Sequence, residues 1–269
     1  MQPLIRVENL SKLHERRNLA GAREKVRALD GVSFGVFPGS TLAVVGESGS
    51  GKSTLASCLA CLEFPTTGNI WFDGTDVVAV PESSRRKIRP QIQLIFQDPA
   101  SSLNPRWSVL QIVVEPISLQ GKFNREEMHR RAASLLERVG LSSEIMNRPP
   151  AELSGGQRQR LAIARALMLE PKLLILDEAL SALDCSVQAQ IANLLLELQD
   201  SLGITYLFIS HDLAMAAHLA DEIAVMHRGR IVEQGPADKI LKHPEHETTR
   251  QLLAAVPKIT RGEQSAPEK

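Results

Sequence analysis

The stretch "TLAVVGESGSGKS" (residues 41–53) decides the fold. A short apolar run from Thr41 to Val45 is followed by glycines and then by Lys52 and Ser53, which predicts a buried strand, a tight loop and a helix start. Glycines let backbone N–H groups converge on phosphate oxygens, while the lysine supplies positive charge and the hydroxyl can bind Mg²⁺. The full G-x-x-x-x-G-K-[ST] pattern behind a strand therefore favours a phosphate-binding loop over a Gly/Ser-rich linker.

A second motif, which is acidic, follows much later in the chain. "LLILDE" (173–178) is an apolar strand that ends in two carboxylates, at the sheet edge where α/β proteins bind ligands. Asp177 is placed to hold Mg²⁺, and Glu178 to polarise a water for attack on a γ-phosphate. Adjacent acids can also be a solvated strand end, but the phosphate-binding loop in the same chain favours the metal and base roles.

Apolar runs recur along the chain and alternate with helical patterns, which predicts a mostly parallel α/β sheet. Further strands are expected at 92–96, 173–176, 205–209 and 222–226, and helices at 125–140 and 187–202. The segment from residue 99 to about 150 has no strand-like run, so we expect it to be a helical insertion. Residues 14–25 are polar and are expected to form a loop in an N-terminal β region.

Composition narrows the classes of function. Lys plus Arg equals Asp plus Glu at 31 each, so nothing indicates a nucleic-acid partner. No apolar run approaches the roughly 20 residues that span a bilayer, and the N-terminus lacks a signal-peptide pattern, so we expect a cytoplasmic protein. The three cysteines include Cys58 and Cys61, which we expect to be buried residues of the helix after the loop, without redox or metal function.

The segment "ELSGGQRQR" (152–160) has paired glycines behind a serine at a helix start, which is a second way to present N–H groups to a phosphate. With "GESGSGKS" before it and "LLILDEALSALD" after it, the chain resembles the ATP-binding cassette family, the motor subunits of ABC transporters. The resemblance covers about residues 4 to 256. It implies an α/β P-loop NTPase (RecA-like) core with a mostly parallel sheet, an N-terminal antiparallel β region and an inserted helical subdomain.

The resemblance also implies one ATPase domain over residues 1–256, with the helical subdomain at about 99–157 and a flexible tail at 257–269. It assigns catalytic roles to Glu178, to the switch histidine His211 and to Gln97 of the glutamine loop. The implied Mg²⁺ ligands are Ser53, Gln97 and Asp177. The residues implied to bind ATP are Gly46, Glu47, Ser48, Gly49, Ser50, Gly51, Lys52, Ser53, Thr54, His14, Ser154, Gly155, Gly156, Gln157 and Asp184.

In this family two cassettes pair head to tail, so the resemblance implies that Ser154 and its glycines contact ATP held by a partner's loop. "FQDPASSLNPR" (96–106) and "HPEHETTRQLLAAVP" (243–257) resemble the ATPases of peptide and nickel importers. In those importers a pair of different ATPases works together, so the resemblance implies a homologous partner ATPase, with a second copy of this chain as the alternative. Such a pair drives two membrane permease subunits from the inner face of the cell membrane, and a substrate-binding protein supplies the cargo. An exporter motor and a soluble cassette protein are the alternatives.

The chain departs from the family pattern at three places. Ala179 stands where the family usually has proline after the catalytic glutamate, which removes a fixed φ but no chemistry. The family stacks an aromatic side chain on adenine near "NLSK", where this chain offers Leu13 or His14. A C-terminal cysteine cluster found in some peptide-importer ATPases has no counterpart here, so no iron–sulfur centre is expected.

Overall fold

The computed structural model of the chain describes residues 2–17, 23–98, 102–118 and 124–255, which form two β-sheets and a set of helices. The strands are β1 (Ile5–Arg17), β2 (Arg23–Val36), β3 (Thr41–Val45), β4 (Thr67–Phe72), β5 (Thr75–Asp76), β6 (Ile92–Ile95), β7 (Leu173–Asp177), β8 (Thr205–Ser210), β9 (Glu222–His227) and β10 (Arg230–Pro236). The helices are α1 (Lys52–Leu59), α2 (Glu82–Ile88), α3 (Val109–Ser118), α4 (Arg125–Arg138), α5 (Gly155–Leu167), α6 (Cys185–Leu202), α7 (Leu213–Leu219), α8 (Ala237–Lys242) and α9 (Glu247–Ala254).

The central sheet has the strand order β10-β9-β3-β8-β7-β6. The pairs from β9 through β6 are parallel, and β10 is antiparallel at one edge. Strands β3, β7 and β8 are buried along their whole length, which is why they read as continuous apolar runs in the sequence. In β3, for example, Ala43 and Val45 belong to one core and Leu42 and Val44 to the other. The carboxyl ends of these parallel strands share one edge of the sheet.

The second sheet is antiparallel, in the order β2-β1-β4-β5, and its apolar residues share a core with α1 and one face of the central sheet. The expectation of a loop over residues 14–25 is wrong at both ends. Strand β1 continues to Arg17 and β2 begins at Arg23, so the two strands stay paired across most of that stretch. Polar side chains are compatible with a strand here, because Glu15 and Lys25, which pair in this ladder, are both exposed.

A helical layer covers the other face of the central sheet. Helices α3 and α4 lie between β6 and β7 in sequence and pack with α5 around buried residues such as Ile112, Leu136 and Leu161. Asn124 caps α4 by accepting from the Glu127 N–H at 2.8 Å, and Gly140 follows that helix with φ +73°. The expected helical insertion is therefore present, although residues 99–101 and 119–123 lie outside the described ranges.

Most sequence-based strand and helix expectations are confirmed within one or two residues. The prediction that Cys61 lies in the helix with Cys58 is wrong, because α1 ends at Leu59 and Cys61 has φ +56°. Both thiols are nevertheless buried, as expected. The predicted tail at 257–269 lies outside the described residues. Across the described ranges, no helix combines the length and apolar character needed to cross a bilayer.

Replacing Tyr206 by phenylalanine tests the hydrogen bond between β8 of the central sheet and α6. The Tyr206 hydroxyl is buried and donates to the Leu195 carbonyl at 2.9 Å. Removing this bond should lower the free energy of unfolding by about 1 kcal/mol, measured by urea denaturation, because the aromatic ring still fills the core. The exposed substitution Ser186→Ala is the control and should change the free energy by less than about 0.5 kcal/mol. Equal values for the two variants would contradict a structural role for the hydroxyl.

Candidate active site

The phosphate-binding loop joins β3 to α1 and depends on two close backbone approaches. A Cβ on Gly51, which has φ +108°, would lie 2.2 Å from the Ala28 carbonyl oxygen, and a Cβ on Gly46 would lie 2.2 Å from the Met226 carbonyl oxygen. Only glycine fits at either position. Gly51 is also the N-cap of α1 and no side chain caps that helix, so its first N–H groups remain available to an anion.

Lys52 is 4% exposed, and its ammonium group donates to the carbonyl oxygens of Gly46 at 2.8 Å and Glu47 at 2.9 Å. Burial lowers the pKa of Lys52, while the carboxylates of Glu178 and Asp177 act against this shift. The ammonium group of Lys52 is thus held by carbonyl groups of its own loop. A bound phosphate can replace these weak acceptors with charged oxygens, which make stronger hydrogen bonds.

Ser53 and Asp177 meet where α1 begins and β7 ends. The Ser53 hydroxyl donates to Asp177 Oδ1 at 3.3 Å. Burial raises the pKa of Asp177 and Glu178 adds to the rise, while the Ser53 hydrogen bond and Lys52 lower it. These are oxygen donors of the kind that Mg²⁺ prefers. Among the described residues, no group of three or more His, Cys, Asp or Glu is placed to hold a metal, so an ion here would need further oxygens from a nucleotide.

Glu178 has an unusual backbone, with φ +49°, in a region that non-glycine residues seldom adopt. Its peptide is held on both sides, because its N–H donates to the Ile209 carbonyl at 2.9 Å and its carbonyl accepts from the Ser181 hydroxyl at 2.8 Å. The Glu178 carboxylate lies 3.5 Å from Nδ1 of His211. Strained residues that the surrounding structure holds in place are concentrated at functional sites, which supports a chemical role for Glu178.

A cleft of about 770 Å³ joins the predicted residues, and it is large enough for a nucleotide. One end is formed by the phosphate-binding loop from Ser48 to Thr54, with Gln97 and Glu178 beside it. The β1–β2 ladder also lines the cleft and contributes His14, whereas Leu13 does not line it. Of the two candidates for stacking on adenine, His14 and Leu13, only His14 therefore lines the same cleft as the loop.

The "LSGGQ" segment lies apart from this cleft. Ser154 is the N-cap of α5, and its hydroxyl accepts from the Gln157 N–H at 3.2 Å while the Gln157 side chain accepts from the Ser154 N–H at 2.9 Å. Both residues are exposed. Gly156 packs against Val187, where a Cβ would come within 2.7 Å of the valine. Within the described part of the chain, none of the residues 154–157 lines the cleft.

Asp184 is also outside the cleft and has a structural role in the isolated chain. It caps α6 by accepting from the Val187 N–H at 2.9 Å. The same end of α6 borders a small cavity of about 60 Å³ beside Glu178, lined by Ser181, Gln188, His211 and others. Sequence reasoning did not identify Ser181 or Gln188, because neither residue type marks a site unless its neighbours in space are known.

Neither Cys58 nor His246 lines the cleft. Burial raises the pKa of the Cys58 thiol to about 12, which keeps it protonated and unreactive. In "HPEHE", His246 caps α9 by accepting from the Thr248 N–H at 3.1 Å.

Comparison with known proteins shows the family to which the chain belongs. The ABC transporter family model matches residues 29–181, more than half of the chain. The chain belongs to the ABC transporter family. It is 46% identical to the dipeptide transport ATP-binding protein DppF of Escherichia coli (strain K12), over 96% of this chain and 78% of that protein. It is 49% identical to the oligopeptide transport ATP-binding protein OppD of Mycobacterium tuberculosis, over 94% of this chain and 42% of that protein.

Solved ABC structures agree with this membership. The dimer of the ATP-binding cassette MJ0796 bound to ADP and Pi matches with a TM-score of 0.77 at 30% identity, covering 87% of this chain and 98% of that one. The cassette cbiO1 from Clostridium perfringens matches with a TM-score of 0.78 at 31% identity, covering 96% and 97%. The predicted α/β P-loop fold is therefore confirmed, and this ABC cassette is an ATP-binding enzyme that hydrolyses ATP.

Gly51→Ala should destroy the phosphate-binding loop. The new methyl group would collide with the Ala28 carbonyl and would also strain the positive φ, so ATP affinity should fall by more than about tenfold in a fluorescence titration. Gly39→Ala is the matched control, since Gly39 has φ +72° but open space around it. That variant should lose only about 1–2 kcal/mol of stability and keep its affinity. Equal loss of binding in both variants would contradict the steric explanation.

Proposed function

We propose that this chain is the ATPase subunit of an importer for peptides. The observation that carries the proposal is the complete cleft from the phosphate-binding loop to Glu178, in a chain whose relatives include dipeptide and oligopeptide transport ATP-binding proteins. The glutathione import ATP-binding protein GsiA of Pectobacterium atrosepticum, 47% identical over 95% of this chain and 41% of that protein, supports import as the direction. An exporter motor and a soluble cassette remain the alternatives.

Within the cleft, each residue has a proposed part. Lys52 and the α1 N-terminus bind the β- and γ-phosphates. His14 lines the part of the cleft that is proposed to hold adenine. Ser53, Asp177 and Gln97 are the proposed side chains around Mg²⁺, which when bound would neutralise phosphate charge.

Glu178, which follows β7, and His211, which follows β8, are the residues proposed to act on the attacking water. Glu178 accepts a proton from the water, and His211 lies 3.5 Å from its carboxylate, where it can orient that carboxylate and donate to the γ-phosphate. The fixed backbone of Glu178 supports this assignment, since a base must be held in position before the water attacks.

The second glycine motif lies at the exposed N-terminus of α5. Ser154, Gly155, Gly156 and Gln157 are outside this chain's own cleft, and we propose that they contact the γ-phosphate of ATP held by a second cassette. Asp184 lies on the same side and is proposed to contact the partner's loop. The partner is a homologous ATPase or a second copy of this chain, and ATP stabilises the pair because it contacts both subunits.

The remaining partners are proposed from the transport role. Two membrane permease subunits would anchor the ATPase pair at the cytoplasmic face of the inner membrane, and an extracytoplasmic binding protein would deliver the substrate. The experiment is to co-purify the chain with its permease subunits and reconstitute them in liposomes. Uptake of dipeptides and longer peptides, driven by ATP, supports the proposal; ATP-driven uptake of nickel alone, or export, contradicts it.

Glu178→Gln should retain ATP binding but abolish steady-state hydrolysis, because the amide cannot take the proton from water. The rate of phosphate release should fall by about 10²-fold or more, and the variant should accumulate as a closed pair with ATP in size-exclusion chromatography. Glu197→Gln, the same substitution at an exposed position of α6 that does not line the cleft, is the control and should hydrolyse ATP normally. Undiminished turnover in the Glu178 variant would remove Glu178 from the role of base.

Ser154→Arg tests the contact in trans. The arginine should block hydrolysis at the partner's site, while ATP still binds to the phosphate-binding loop of the variant chain itself. Ser134→Arg, at an exposed position of α4 in the helical layer, controls for the added charge. Loss of ATP binding by the isolated Ser154 variant, at a chain concentration where it is monomeric, would show that Ser154 serves its own loop.

A further inference from the structure

A pocket of about 410 Å³, here called the distal pocket, lies where α4, α5 and α6 end. Its volume is within the range of small-molecule sites, and it shares no residue with the nucleotide cleft. Pro171 and Ile204, which precede β7 and β8, form part of its wall, whereas Glu178 follows the carboxyl end of β7. The distal pocket is therefore at the opposite edge of the central sheet from the site of hydrolysis.

The wall of the distal pocket is mainly apolar. Leu135 of α4 contributes to it from the helical layer, and Leu202 contributes from the end of α6. Leu202 is 39% exposed, so apolar surface is open to a ligand at this point. A ligand with apolar side chains would gain free energy by covering this surface.

The rim of the distal pocket carries charges of both signs. Arg131 of α4 forms an ion pair with Glu170, and the Glu170 N–H donates to the Leu167 carbonyl at 2.9 Å. Arg138 also lines the pocket, and it forms no ion pair with any residue in the described ranges. Arginine binds carboxylates through two parallel N–H bonds. Arg138 therefore offers a guanidinium to the carboxylate of a ligand.

The three helices that end here add partial negative charge. Their last residues, Arg138 of α4, Leu167 of α5 and Leu202 of α6, all line the distal pocket. The C-terminal end of a helix attracts cations within its last turn. Together with the Glu170 carboxylate, these helix ends favour an ammonium group, while Arg138 favours a carboxylate. A ligand that carries both groups matches the pocket better than a pure anion or a pure cation does.

We propose that the distal pocket binds a short zwitterionic peptide with apolar side chains. The carboxylate contacts Arg138, the ammonium group lies between Glu170 and the helix ends, and the side chains cover Leu202 and its apolar neighbours. This inference rests on the proposed function, because such peptides are the proposed cargo and are delivered to the side of the membrane where the ATPase is proposed to work. The small volume limits the ligand to a few residues.

The test is a ligand-observed NMR titration of the intact chain, without nucleotide, with the dipeptide leucyl-leucine. We expect a dissociation constant of about 0.1–1 mM, as is ordinary for so small a ligand. N-acetylation removes the ammonium group, C-terminal amidation removes the carboxylate, and glycylglycine lacks the apolar side chains. Each change should weaken binding by about fivefold or more. Equal affinity for all four peptides would overturn the inference.

Arg138→Gln should weaken the binding of leucyl-leucine by about tenfold, because it removes the charged partner of the carboxylate. Arg130→Gln is the matched control, since Arg130 is exposed on the same helix but does not line the distal pocket. The control should bind the dipeptide like the wild type, and thermal unfolding checks that both variants are folded. Equal affinity in the two variants would contradict the role of Arg138 and overturn the inference.

This experiment separates the inference from the proposed function. If the wild-type chain does not bind leucyl-leucine up to about 10 mM, while the reconstituted transporter still takes up peptides with ATP, the inference is overturned and the proposed function stands. If the chain binds leucyl-leucine as expected but the reconstituted transporter takes up no peptide, the proposed function is overturned instead.

Discussion

The close approach of the phosphate-binding loop to its neighbours is the constraint on which the rest of the structure depends. Gly51 passes the Ala28 carbonyl and Gly46 passes the Met226 carbonyl at distances that leave no room for a side chain. These contacts fix the loop between the middle of β2 and the end of β9. They thereby set where α1 begins, where Lys52 is folded against the loop, and which N–H groups face the cleft.

The parallel sheet brings the rest of the chemistry to the same edge. Because β3, β7 and β8 run in one direction, their carboxyl ends place the loop, Asp177 with Glu178, and His211 side by side. The backbone of Glu178 is then fixed by bonds to Ile209 and Ser181 rather than by a following proline. The substitution by Ala179, which looked like a loss of rigidity, is thus accompanied by hydrogen bonds that hold the same peptide.

Much of this could be predicted from the sequence, because the motifs that bind phosphate are local. The strand, loop and helix from residue 41 onward follow from apolar periodicity and glycine spacing, and so do the carboxylates after β7. Contacts between distant residues could not be predicted in this way. The pairing of His14 with Val26 depends on strand register in a polar stretch that reads as a loop, and the contact with Glu63 depends on where the chain runs after α1.

The central claim is that one cassette holds ATP but completes the hydrolytic site only with a second cassette. The exposed "LSGGQ" helix start, separate from the chain's own cleft, is its structural basis. The most direct measurement is the rate of ATP hydrolysis per chain over a dilution series, with the fraction of paired chains followed by analytical ultracentrifugation. The account predicts that monomers bind ATP and that hydrolysis per chain rises with the paired fraction, formed with itself or with an added homologous ATPase. A constant rate per chain down to fully monomeric protein would contradict it.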